Sequence, residues 1–224
     1  MYISQLEEKE IDQILALEAK CFTPSLRASR ETLVQRFSLG HIMLGLYVEE
    51  RLVGVASFSY RWFGSKEDTK AFAEDEWRPF YQLQMPKVFN TVLIYNVELL
   101  PSRRGRVQVY TLLNAMMQRA FEDGCQHLIG ISRIPSYNGD AFNHIAQKPL
   151  LKAAVDRYFS GGERPGEKVL EQDPLVMLYK NIGNCEVLTL VNDYLPEDRP
   201  SGGIRAIVYT ELNGQWKTNL RRSV

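Results

Sequence analysis

Thr91–Ile134 reads TVLIYNVELLPSRRGRVQVYTLLNAMMQRAFEDGCQHLIGISRI, and its changes of period decide the fold. Thr91–Leu100 is β-branched and apolar and stops at Pro101, which predicts a strand. Beyond the turn, Val109, Leu112, Leu113, Met116, Met117, Ala120 and Phe121 recur at i, i+3, i+4, i+7, i+8, i+11 and i+12. That spacing lays one apolar stripe along a long helix, and Gly124 is placed to cap its end. His127–Ile134 is then a second strand. Strand, helix and strand in this order form a βαβ unit, whose strands lie parallel with a right-handed crossover.

Toward the N-terminus, Ile11, Ile14, Leu15, Ala19 and Phe22 predict a helix over Glu8–Phe22, and a second is expected over Leu26–Ser38 with Ser29 as a cap. Met43–Glu49 and Leu52–Tyr60 read as a hairpin turning at Glu50-Arg51. Between Arg61 and Asn90 lies an excursion rich in aromatic and charged residues, with a short helix expected near Asp68–Trp77. Toward the C-terminus, Ala141–Phe159 is expected to be partly helical with a break near Pro149, and Ser160–Lys168 to be a loop. Pro174–Asn181 reads as a short helix behind Asp173, and Cys185–Leu195 and Gly203–Leu212 as the last strands. No repeat or linker divides the chain, so the expectation is one mixed α/β domain spanning 1–224. Its central sheet should be largely antiparallel, contain one parallel pair and be flanked by helices.

The chain has 224 residues, 45% hydrophobic and 24% charged, enough for a proper core. Lys plus Arg and Asp plus Glu each number 27, so no global field draws nucleic acid or an anionic membrane, and neither is expected as a partner. No apolar run reaches the roughly 18 residues that span a bilayer. Cys21, Cys125 and Cys185 are odd in number and far apart, and the three histidines show no ligand spacing. No disulfide framework and no metal site are expected. The acidic N-terminus does not resemble a secretory leader, which makes the cytoplasm the expected setting.

Chemistry is expected first at the junction Leu99–Tyr110, LLPSRRGRVQVY. A strand ends, a basic glycine-containing turn follows and a long helix begins at once. Free N–H groups and the positive end of the helix dipole suit a phosphate there, and Arg103, Arg104 and Arg106 add charge. A solvated arginine-rich turn is the equally weighted plain alternative.

The string P-x-x-R-G before a long helix resembles the pyrophosphate loop of the GCN5-related N-acetyltransferases (GNATs), written Q/R-x-x-G-x-G/A. Arg104 matches its first position, whereas Val107 and Val109 stand where that family has small residues. The element order resembles the family's across most of the chain. Leu178-Tyr179-Lys180-Asn181-Ile182-Gly183 is similar to its L-Y-x-x-x-G segment. The resemblance implies that acetyl-coenzyme A or another acyl-coenzyme A is the co-substrate. It would be held by Leu99, Leu100, Arg104, Gly105, Arg106, Val107, Gln108 and Val109, with the backbone of Val97–Leu100 along its pantetheine arm. It implies that Tyr179 protonates the departing thiolate, since a phenol is a weaker acid than a thiol; a core tyrosine is the plain alternative. Glu98 is the nearest candidate to take a proton from an amine, a solvent-facing carboxylate or a water chain being the alternatives. His144 is a weaker candidate near the acceptor.

A narrower resemblance rests on Arg133-Ile134-Pro135-x-Tyr137, Asp173-Pro174, Asn192-x-Tyr194-Leu195-Pro196-Glu197-Asp198 and Ser201-Gly202. These are similar to a branch containing acetyltransferase domains fused to carbon–nitrogen hydrolases and the GNAT-like loading domains of polyketide synthases. Some of the latter decarboxylate malonyl-coenzyme A with a threonine and a histidine, positions held here by Ser132 and Tyr179. Three functions follow as expectations: acyl transfer to an amine, loading of an acyl carrier protein, or a non-catalytic interaction module. A basic rim at Arg61, Arg78 and Lys87 would favour the second. Trp62, Phe72, Trp77, Phe80 and Tyr81 of the excursion would line an acceptor pocket, grip a partner or pack on the core.

Overall fold

The computed structural model describes residues 1–75, 83–104 and 106–212. Trp77, Arg78, Phe80, Tyr81 and Gly105 lie outside the described residues, and of Arg106 only the backbone is among them. The chain runs β1 (Tyr2–Gln5), α1 (Ile11–Cys21), α2 (Arg30–Ser38), β2 (Ile42–Val48), β3 (Arg51–Arg61), α3 (Lys66–Asp75), β4 (Thr91–Leu99), α4 (Arg106–Glu122), β5 (His127–Arg133), α5 (Pro149–Phe159), α6 (Glu167–Leu170), α7 (Pro174–Gly183), β6 (Glu186–Val191) and β7 (Arg205–Glu211). The strands form one sheet in the order β1-β2-β3-β4-β5-β7-β6. Every pairing is antiparallel except β4 with β5.

The helices cover both faces. Leu112, Leu113, Met116 and Met117 of α4 pack with Val92 and Ile94, and Val176, Tyr179 and Ile182 of α7 join the same cluster. On the opposite face, Ile14 and Leu17 of α1 and Leu33 of α2 pack on Met43 and Val55. Phe72 of α3 packs there on Phe63, with ring centroids 5.3 Å apart, beside Leu93 and Ile129. Trp62 instead stands exposed.

Local chemistry sets the element ends. The Ser29 hydroxyl accepts from Thr32 N at 3.2 Å and starts α2. Asp173 caps α7 by accepting from Leu175 N at 2.9 Å and Val176 N at 3.4 Å, with Pro174 at the first position. Gly124 ends α4 with φ +93°. The β2–β3 turn falls on Glu49 and Glu50, at φ +50° and +58°, one residue earlier than expected. Two elements were not anticipated. β1 is an edge strand with three of its four residues exposed, so it carries no alternating pattern. α6 begins inside the expected Ser160–Lys168 loop because Leu170 reaches the core.

The feature that matters for function is where β4 leaves β5. Their pairing covers only Thr91↔His127 to Ile94↔Gly130. At the next residue β4 carries a bulge against β3, where Asn96 opposes Ser57 and Ile94 opposes Phe58, leaving Tyr95 as the extra residue. A bulge bends its strand and increases the local twist. β4 then follows β3 to Leu99, while β5 follows β7 to Arg133. The two parallel strands part.

Candidate functional site

A cavity of about 400 Å³ occupies that opening and passes between the two helical faces. Val97, Glu98 and Leu99 line it from β4, Ile131, Ser132 and Arg133 from β5, Val109 and Leu113 from α4, and Leu175, Leu178 and Tyr179 from α7. Cys21 and Phe22 reach it from the end of α1. The cavity thus brings together Ser132, Glu98 and Tyr179, the three side chains singled out for chemistry.

Tyr179 sits at the point of separation. A Cβ on Gly130 would lie 2.5 Å from Tyr179 Cε1, so the bare glycine lets the ring pack flat on β5 at its last pairing position with β4. The phenol is buried, and burial raises its pKa, which keeps it protonated. Its hydroxyl makes no hydrogen bond among the described residues. Ser132 is buried and donates its hydroxyl proton to the Arg133 carbonyl at 2.9 Å, leaving its oxygen as an acceptor.

Glu98 is 3% exposed, and among the described residues neither carboxyl oxygen has a hydrogen-bond partner. Burial first, then the nearby Glu18 carboxylate, hold its pKa well above the carboxylate range, against an opposing pull from Arg36. Glu18, on α1, is equally buried, accepts from Ala28 N at 3.3 Å and is pushed up to about 7, chiefly by burial. Cys21 lies beside them and donates to the Leu99 carbonyl at 3.2 Å; burial and Glu98 push its thiol up to about 12. Glu98 is therefore buried at the lining of the cavity, with Glu18 and Arg36 close enough to act on its carboxyl.

The expected phosphate-binding turn is arranged as follows. A short 3₁₀ turn over Pro101–Arg103 leads into α4, whose first-turn N–H groups at Arg106, Val107, Gln108 and Val109 lack helical partners. Val107 is 52% exposed, while Val109 lines the cavity; neither has a positive φ, so these valines fit the helical backbone. Leu99 and Leu100 pack into the core. The Arg104 guanidinium turns back onto protein: Nε donates to the Leu99 carbonyl at 3.2 Å, Nη2 to the Cys21 carbonyl at 3.3 Å and Nη1 to Asn143 Oδ1.

Of the residues of the narrower resemblance, Arg133 and Pro174 line the cavity and others support them from behind. Arg133 grips Asp198 through Nε at 2.8 Å and Nη2 at 2.6 Å, Arg205 Nη1 reaches the same carboxylate at 2.8 Å, and Asp140 lies 3.5 Å from Arg133. Burial would raise the Asp198 carboxyl, but the two arginines hold it below its ordinary range. Asp173 accepts from Ser136 N at 2.8 Å, tying α7 to the Pro135–Tyr137 turn. Gly202, at φ +60°, passes under Tyr137, where a Cβ would lie 2.6 Å from the ring. Sequence reasoning did not single out the parts played by Gly130, Cys21, Glu18 and Asn143. The glycine inside a β-prone run was the one available signal.

Two expectations change. Arg61 is buried and bonds Ser59 and the Tyr60 and Leu83 carbonyls, so it is no part of a basic rim, although Lys87 is exposed. His144 is exposed at φ +56° and does not line the cavity. Among the described residues no cluster of metal ligands occurs, and no helix is long and apolar enough to cross a membrane.

No protein-family model and no curated protein matches the chain. Solved structures do. The GNAT-like decarboxylase GphF, in complex with isobutyryl-CoA, superposes with a TM-score of 0.68 at 19% identity, covering 95% of this chain and all of that one. The loading GNATL domain of CurA from Lyngbya majuscula gives 0.69 at 16%, covering 96% and 100%. The ribosomal-protein-S18-alanine N-acetyltransferase from Escherichia coli gives 0.53 at 13%, covering 94% and 93%. At such identities the likeness is one of fold, and the chain has the GNAT fold.

Proposed function

We propose that this chain of GNAT fold is an acyltransferase that takes a short acyl group from acyl-coenzyme A. One observation carries the reading: β4 and β5 part at a bulge, and a buried tyrosine stands on a glycine at the point of parting, facing a cavity that joins the two sides of the sheet. The pantetheine arm would lie along the unpaired edge of β4 over Val97–Leu100. Its diphosphate would sit at the first turn of α4, where Arg106–Val109 offer free N–H groups. The acceptor would attack the thioester from the α1 side, and Tyr179 would protonate the leaving thiolate. Glu98, with its raised proton affinity, would take the proton the acceptor releases, working in its ionised form. An amine is the first acceptor to test.

The second reading, loading of an acyl group onto a carrier-protein thiol with or without decarboxylation, is favoured by two observations. The neighbours with TM-scores of 0.68 and 0.69 are a GNAT-like decarboxylase and a loading domain, against 0.53 for the N-acetyltransferase. Ser132 also places a hydroxyl in the cavity beside Tyr179.

Calorimetric titration with coenzyme A, acetyl-coenzyme A and malonyl-coenzyme A tests the shared premise, and saturable binding is expected. No binding at millimolar ligand would remove coenzyme A as the donor. Turnover with amines or with an acyl carrier protein then separates the readings. Tyr179→Phe is expected to lower kcat by about 100-fold. An unchanged rate across the pH profile would refute the acid role.

A further inference from the structure

We propose that Arg104 is a positioning residue for the acceptor side of the cavity and not a ligand of the donor's phosphates. Its guanidinium meets three acceptors on three elements of one rim: the Leu99 carbonyl at the end of β4, the Cys21 carbonyl at the end of α1 and Asn143 Oδ1 on the 3₁₀ turn Ala141–Asn143. All four residues line the cavity. Each of these contacts uses a different guanidinium nitrogen, so the planar fork fixes the three elements relative to one another.

The placement has a consequence for the backbone. Beyond Ile94 the β5-facing edge of β4 has no strand partner. Leu99 O is held instead by Arg104 Nε and Cys21 Sγ, each at 3.2 Å. These two contacts keep the separated end of β4 in place and pin the end of α1 beside Phe22. Three of its five N–H groups are committed to that rim, so turning the whole fork onto a diphosphate would release part of it. The inference builds on the acyl-transfer reading but reassigns the residue within it. Donor phosphates would be met by the first-turn N–H groups of α4, and Arg104 would shape the surface the acceptor meets.

Arg104→Lys separates the two roles, because lysine keeps the charge that attracts phosphate but cannot reach three separated acceptors. Amide hydrogen exchange of the ligand-free protein and calorimetric affinity for coenzyme A are the readouts. Exchange over residues 20–28 and 140–146 is expected to quicken about threefold or more in both Arg104→Lys and Arg104→Ala. Coenzyme A affinity of Arg104→Ala is expected to fall by less than about tenfold. The proposal is overturned if exchange in these segments is unchanged in Arg104→Ala. It is also overturned if alanine costs tenfold or more in affinity and lysine restores it. Failure of the wild-type protein to bind coenzyme A would refute the donor assignment, and the exchange comparison would still decide the role of Arg104.

Discussion

Two buried charged clusters flank the same cavity, and they solve the problem of burial in opposite ways. On the β5 side, Asp198 is fully buried and answered by Arg133 and Arg205, with Asp140 balancing the second positive charge. On the α1 side, Glu98 and Glu18 are almost as deeply buried; among the described residues Glu98 has no hydrogen-bond partner, and Glu18 accepts one backbone N–H. The first cluster is satisfied and holds its carboxylate ionised. In the second, burial raises the proton affinity of both carboxyls, against the pull of Arg36. A buried ion pair fixes geometry, whereas an unanswered carboxyl retains free energy that a substrate or a proton can release. The two sides of the cavity therefore differ in how far their buried charge is compensated.

The largest expected effect breaks the scaffold. Asp198→Ala leaves Arg133 and Arg205 without their shared counter-charge, and chemical denaturation is expected to show a loss of about 3–5 kcal/mol. A smaller loss would mean that Asp140 and solvent compensate the two arginines.

Next comes the seat of Tyr179. Gly130→Ala places a methyl 2.5 Å from the tyrosine ring and 2.8 Å from Val208 Cγ2. Overpacking of this kind is expected to cost about 1–3 kcal/mol. It should also displace the phenol, so turnover should fall more than stability alone explains. Equal stability and rate for the variant and the parent would show that the ring does not need this glycine.

The smallest effect sharpens the contrast through pH. Glu18 and Glu98 bind protons more tightly folded than unfolded, so from about their usual 4.5 upward the unfolded chain holds fewer protons and stability falls as pH rises. Glu18 adds to this slope until about 7, and Glu98, raised chiefly by burial, adds to it in the same direction. Glu98→Gln is expected to flatten the slope, raising Tm relative to the parent by about 2–4 °C near pH 8, or about 1 kcal/mol for a chain of this size. Identical pH dependence in the two proteins would place the ionisation elsewhere.

Much of the fold was legible because its signals are local. Val109 to Phe121 at helical spacing, the proline after β4 and the caps at Ser29 and Asp173 all act within a few residues. β1 escaped because an exposed edge strand has no apolar alternation, and α6 because one buried leucine makes no period. At the site, Tyr179, Ser132 and Glu98 were found as residues, but their environments were not. Glu98 was read as a candidate base, with a solvent-facing carboxylate or a water chain as alternatives; the structure buries it at the cavity, where Glu18, from a helix 80 residues earlier in the chain (98 − 18), adds to its proton affinity.

The sequence by itself determined the order of elements apart from β1 and α6, the parallel pair and the basic turn before α4, since each follows from periodicity, chain direction and turn chemistry over short spans. Only the tertiary structure decided that β4 departs from β5 at Tyr95, that Gly130 carries the Tyr179 ring and that Arg104 faces inward to Leu99, Cys21 and Asn143. Those outcomes depend on pairings between residues tens of positions apart. A bulge is defined by the strand across from it, and an arginine's direction by which carbonyls the fold leaves within reach.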